Sequence, residues 1–126
     1  MRFGSTIFST TFFLASSTAP VCAATHIITV GPGSSLTFSP ATITIPPGDT
    51  ITFQSNAAIA HDVVSDDGAT FSSGGAAMGP WTYVTPPLSA GTYGFHCTVH
   101  GAPGSGMFGT LTVQATPVTL QSFGVD

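Results

Sequence analysis

Glycine and proline interrupt this chain 15 and 10 times in 126 residues, too often for a long amphipathic helix to run through it. What lies between the interruptions is short and rich in β-branched residues. Thr25-His26-Ile27-Ile28-Thr29-Val30 ends at Gly31-Pro32-Gly33, and Leu36-Thr37-Phe38 ends at Ser39-Pro40. Thr42-Ile43-Thr44-Ile45 alternates and breaks at Pro46-Pro47-Gly48-Asp49, and Thr50 to Gln54 alternates again. Later segments are expected from His61 to Ser65, Trp81 to Val84, Thr92 to Cys97 and Gly109 to Gln114. Strands of this length between regular turn signals predict an all-β chain, an antiparallel sandwich or barrel. The only helical feature with room to form is a short turn around Ala76 to Met78.

The first 24 residues are expected to lie outside that fold. Arg2 gives a charged start, Phe3 to Ala15 is a mostly apolar run, and Val21-Cys22-Ala23 or Cys22-Ala23-Ala24 offers a small-residue cleavage site. This is the pattern of a secretory signal peptide, and the run is too short to span a membrane. A lipoprotein signal at Cys22 is disfavoured by the bulky Val21. The folded domain is then residues 25–115, which is enough for a sandwich to bury a core. Residues 116–126 carry Val118, Leu120 and Phe123 and remain open as an added edge strand, a docking tail or a disordered end.

Removal of the leader takes away Arg2, the only Lys or Arg of the chain. The remaining charges are Asp49, Asp62, Asp66, Asp67 and Asp126. Without cations the mature chain cannot meet nucleic-acid phosphate, and an anionic membrane surface repels it. A partner with a basic or neutral docking face suits it better, met transiently by a monomer.

The same cleavage leaves Cys97 as the only cysteine, so an exported chain has no internal disulfide to make. Cys97 lies in FHCTVHGAPGSGMFGTLTV, with His100 and Met107 after it and His61 upstream. A soft thiolate, two imidazoles and a weak thioether form the ligand set of a blue-copper electron-transfer site. A strand is expected to end at Cys97, with a Gly-rich loop carrying His100 and Met107 back over the same point.

These segments resemble the plastocyanin-like cupredoxins. Phe38 to Phe53 is similar to that family's F-x-P-x-x-I-x-I-x-x-G-D-x-V-x-F stretch, His61 to Gly68 to the segment of its first copper histidine, and Gly91 to Cys97 to its G-x-Y-x-Y/F-x-C strand. The resemblance implies a Greek-key β-sandwich or barrel binding one type 1 copper ion. It makes His61 and His100 the imidazole ligands, Cys97 the thiolate and Met107 the long axial ligand. It also implies an electron carrier, not an enzyme, in the periplasm or outside the cell. There are two departures. The family usually has four residues between its second histidine and methionine, whereas Gly101 to Gly106 fill that place here; they are expected to bulge before an unchanged Met107. Asp62 stands where many relatives have Asn, adding negative charge that is expected to favour Cu(II) and lower the reduction potential.

Each of these residues also has a simpler reading. Cys97 alone is more often a small buried hydrophobe, and His61 alone an exposed loop histidine. His26 is expected at the surface, and His96 on the strand face opposite Cys97. Met78, Trp81, Tyr83, Tyr93 and Phe95 are expected to pack in the core. Three other functions compete with electron transfer. A Cys97–His100 nucleophile pair lacks an orienting third group and an oxyanion site. Copper storage or delivery favours open, exchangeable ligands, and an adhesion module predicts no tight metal binding. His100 is the expected exit edge for the electron, ringed by Ala102, Pro103 and Phe108.

Overall fold

In a computed structural model, which describes Gly4 and residues 23–116, two four-stranded sheets face each other. The expected signal peptide and most of the C-terminal tail lie outside the described residues. The strands are β1 (Thr25–Val30), β2 (Phe38–Ser39), β3 (Thr42–Ile45), β4 (Thr50–Ser55), β5 (Val64–Ser65), β6 (Trp81–Val84), β7 (Gly91–Ala102) and β8 (Ser105–Val113). One sheet has the order β2-β1-β4-β6, the other β3-β8-β7-β5. The pairs β1–β4 and β3–β8 are parallel, and the remaining pairs are antiparallel. The chain therefore changes sheet between β2 and β3 and again between β3 and β4, as a Greek-key sandwich requires.

The alternation read from the sequence decides which side chains face inward. On β4, Ile51, Phe53 and Ser55 are buried while Thr50, Thr52 and Gln54 turn toward solvent; on β8, Met107, Gly109, Leu111 and Val113 face in. This two-residue period is the geometry of a strand buried on one face. Between the sheets, Phe95 packs edge-on to Phe38 and Phe53, at centroid distances of 4.9 and 5.3 Å. Aromatic rings prefer such crossed arrangements because each presents a positive edge to a negative face. Cys97 and Met107 belong to the same buried cluster, so the expected ligands grow out of the core.

Several expectations need correction. No helical turn forms at Ala76 to Met78: Ala77 exchanges two backbone hydrogen bonds with His61, each 3.0 Å, and a residue paired as a β-bridge cannot also be helical. The helical feature observed is a single 3-10 turn over Pro32–Ser34. Met78 is 64% exposed and fills no core space. Phe95 is fully buried, but Trp81, Tyr83 and Tyr93 are only partly so, packed against the rim of the core. The strand that carries Cys97 runs on to Ala102.

His26 is partly exposed, and it has a partner. Its Nε2 lies 2.8 Å from Oδ2 of Asp49, whose Oδ1 accepts the Ala24 backbone N–H at 3.0 Å. The two contacts pin the start of β1 to the turn before β4. They hold the Asp49 carboxyl below its ordinary range, the His26 contact most and the Ala24 N–H next. A carboxylate with a depressed folded-state pKa contributes stability above its unfolded pKa of about 4, and that contribution is lost as pH falls through the folded value. Asp49→Asn is expected to lower the urea midpoint at pH 7 and to flatten its fall in more acidic buffer, measured as midpoint against pH.

Candidate metal centre

The centre is built where the β7–β8 ladder breaks. The strands pair in register up to His96 with Phe108, and pairing resumes at Gly101 with Gly106. Between those rungs β7 carries Cys97, Thr98, Val99 and His100, while β8 carries Met107 alone. Such an excess on one strand is a β-bulge, which bends the strand and re-aims its side chains. It brings His100 round to the side on which Cys97 already points. The bulge thus lies in β7, ahead of the Gly101–Gly106 segment. Those six residues extend the hairpin instead, closed by a Pro103–Gly104 turn with Gly104 at φ 69. Proline at the first turn position and a left-handed glycine at the second are what such a tight turn favours. At Gly101 a β-carbon would come within 2.6 Å of both the backbone nitrogen and oxygen of Met107, so only glycine allows the two arms so close.

His61 enters from the connection after β4 and is fixed by its bridge to Ala77. Its Nδ1 lies 3.9 Å from Cys97 Sγ, and His100 Nδ1 lies 3.7 Å from the same sulfur. The three donor atoms fall within 4.8 Å of one another. At 3.9 and 3.7 Å, the sulfur and each nitrogen can share an ion whose bonds are roughly 2.0–2.3 Å long. Two imidazoles and a thiolate in a trigonal set match copper's blue type. Cys97 and His61 are fully buried, whereas His100 is partly exposed. Burial pushes the His61 pKa down, the charge of His100 adds to this, and Asp62 partly opposes it. The ring is therefore held neutral, with a lone pair free for a metal.

Asp62 joins the two parts of the site. Its Oδ1 accepts the Thr98 backbone N–H at 2.7 Å, and its Oδ2 accepts the Thr98 hydroxyl at 2.5 Å. The residue beside one histidine thus grips the residue beside the thiolate. His96 faces away from Cys97 and pairs with Asp66, Nδ1 to Oδ1 at 2.6 Å, so it is not available to the centre. The structure brings His61, Cys97 and His100 together as the sequence predicts, and buries Met107 opposite the bulge. The Asp62–Thr98 clamp is the feature that sequence reasoning located only by half: Asp62 was singled out, Thr98 was not.

Residues 24–114 match the family described as copper binding proteins, plastocyanin/azurin family. This chain belongs to that family. It is 37% identical to a plastocyanin of Scenedesmus fuscus over 88 residues, covering 63% of this chain and 88% of that protein. It is 35% identical to a plastocyanin of Sambucus nigra over 100 residues, covering 71% and 99%. A mutant plastocyanin of fern is similar in structure, with TM-score 0.57 at 25% identity over 70% of this chain and 99% of that one. A reduced amicyanin variant shares the fold, with TM-score 0.58 at 23% identity over 76% and 88%. The chain is a plastocyanin-like cupredoxin with copper as its cofactor, an electron carrier and not a catalyst.

Removing the clamp tests its part in the site. Asp62→Ala removes the charged acceptor of two part-buried hydrogen bonds from Thr98 and is expected to cost about 1–3 kcal/mol, with weaker copper binding seen by titration. Asp62→Asn keeps an acceptor for the Thr98 N–H, so its loss of stability is expected to be smaller. By removing a negative charge it is also expected to raise the reduction potential, measured by voltammetry.

Proposed function

We propose that the protein is exported and shuttles single electrons between partner proteins, through a copper ion held by His61, Cys97 and His100 with Met107 as the long axial ligand. The observation that carries this reading is the bulge. It sets Cys97 and His100 against Met107 alone, in a pocket where Met107 is 1% exposed. A thioether buried in the same cluster as the thiolate, opposite the bulge that carries it, has a chemical use as a weak fourth donor. Copper supplies the one-electron step between Cu(I) and Cu(II). The protein's residues supply everything else: they fix the donors, exclude water from the thiolate and leave one edge open.

That edge is His100. Around it lie exposed Ala102 and Pro103 on the hairpin tip, with Val99 and Phe108 close in sequence at 59% and 42% exposure. Beside Met107 and Phe108 runs a groove of about 350 Å³ that also takes in Leu36 and Phe38. A small apolar rim with few charges suits brief encounters better than a permanent complex, as redox pairs require. Export is supported by the leader-like residues 1–24 and by a domain, 25–115, whose one cysteine is occupied by the site. Neither nucleic acid nor a membrane surface fits a mature chain without Lys or Arg.

Copper storage or delivery is the weaker alternative. It calls for donors that open and exchange, whereas two of the three gathered here are sealed in the core and tied by Asp62. Adding Cu(II) to the purified domain is expected to give an intense visible band with narrow copper hyperfine splitting in EPR. Cys97→Ser is expected to abolish both signals. A colourless complex that undergoes no reversible one-electron reduction would favour delivery instead.

The exit edge has its own test. His100→Gly opens a partly exposed position while leaving the buried donors in place, so external imidazole is expected to restore the blue spectrum of that variant. The corresponding His61→Gly variant, sealed from solvent, is expected to show far weaker rescue.

A further inference from the structure

His61 is fully buried, and its Nε2 has no hydrogen-bond partner among the described residues. Metal-binding histidines ordinarily donate their second ring nitrogen to a carboxylate, carbonyl or water, which fixes the ring's orientation. Here the ring lies against Gly31. A β-carbon on residue 31 would sit 2.4 Å from Nε2 and 2.6 Å from Cδ2 of His61. The ring edge therefore occupies space that only glycine leaves free.

Gly31 stands at φ 64 and opens the 3-10 turn over Pro32–Ser34. That turn is fastened on several sides. Gly31 N–H donates to Thr37 O at 2.9 Å, and Ser34 N–H donates to Gly31 O at 2.9 Å. Just before it, the buried Ser55 hydroxyl donates to Val30 O at 3.0 Å. The Ala58 N–H, three residues ahead of His61, donates to Ser34 Oγ at 3.1 Å. Ser34 is the one non-glycine residue with positive φ among the described residues, at 63. A side chain is held in that conformation only where its surroundings over-determine it. Here its hydroxyl grips the segment that leads to His61.

We propose that the turn from Gly31 to Ser35 is a positioning element for the first copper histidine, holding the His61 ring by packing where other sites use a hydrogen bond. The proposal deepens the copper reading above and rests on it. Gly31 is a positioning residue and not a ligand: its bare backbone is the wall that keeps Nδ1 turned toward Cys97 Sγ with or without metal. A ring that cannot rotate keeps the same geometry in both oxidation states.

Two alanine variants in the same turn separate this wall from ordinary backbone strain. Gly33 is also left-handed, at φ 60, but a β-carbon there meets nothing within 4 Å. Gly31→Ala and Gly33→Ala both place an L side chain in the left-handed region, and only the first pushes on His61. Both are expected to melt at lower temperature. Gly31→Ala alone is expected to shift the His61 ring resonances in metal-free NMR spectra. It is also expected to alter the EPR pattern of the Cu(II) form, move its potential and weaken Cu(II) binding about tenfold or more, the range seen when a ligand's support is removed.

If Gly31→Ala does not fold, Ser34→Gly takes its place: it relieves the strain, cuts the link to Ala58 and is expected to broaden the His61 ring signals. The proposal is overturned if Gly31→Ala leaves the ring resonances and EPR pattern unchanged, or if Gly33→Ala changes them equally. It is also overturned if Gly31→Ala is unfolded and Ser34→Gly leaves the His61 signals untouched. The metal-free NMR readout keeps its meaning even if the unaltered protein binds copper in another form, so failure of the turn and failure of the copper reading are distinguishable.

Discussion

The centre depends on one carboxylate. Asp62 follows one donor and Thr98 follows another, and the two hydrogen bonds between them join segments that reach the site from different parts of the fold. His61 comes from the connection after β4, in one sheet, and Cys97 sits on β7, in the other. Three residues after His61 the chain pairs with β7, Val64 opposite His96, and the clamp fixes the two segments where the donors themselves stand. Apolar packing sets a general spacing but has no direction; a hydrogen bond with a charged acceptor adds both direction and strength. The donor atoms lie within 4.8 Å of each other.

The sheets complete the arrangement through an interruption. Phe95 and Cys97 follow the inward period of β7, and Leu111 and Met107 follow that of β8. Had pairing continued past His96, His100 would have taken its place in a regular strand. The four-against-one bulge bends that strand at the point where the core ends, and the hairpin beyond it is pinned by the close Gly101–Gly106 pair. Core and centre are in this sense continuous: the aromatic cluster around Phe95 holds the strand that holds the thiolate. A substitution deep in the core would be felt at the donors through β7.

Much of this was legible in the sequence because the signals were of period two or were chemically unusual. The alternation in Thr42 to Ile45 and Thr50 to Gln54 gave two of the strands and their inward faces. The set of Cys97, His100, Met107 and His61 pointed to copper because few other uses bring those residue types together. What stayed illegible was set by partners far away in the chain. Pro103-Gly104 marks a turn, but nothing local in Gly101 to Gly106 says that its arms pair as a hairpin; the register of β8 decides that. Ala77 resembled part of a helical turn until its backbone was found paired with His61. Thr98 carries no mark of its own, since its role exists only once Asp62 lies opposite. Met78 is an apolar residue whose segment leaves the core, a matter of chain path and not of composition.

The histidines show how a chain with no Lys or Arg beyond Arg2 divides its remaining basic groups. Two of the four go to carboxylates, His26 to Asp49 at one end of the sandwich and His96 to Asp66 on the outer face of β7. The other two, His61 and His100, have no carboxylate on their rings and meet at Cys97. His96 is the instructive case. It adjoins the thiolate in sequence, and in another rotamer or register a histidine there would compete for the metal. The strand turns it outward, and Asp66 holds it there at 2.6 Å. Donor selection at the centre thus works by exclusion as well as by attraction: the pairing that steadies the surface also keeps a third imidazole away from a site that needs two.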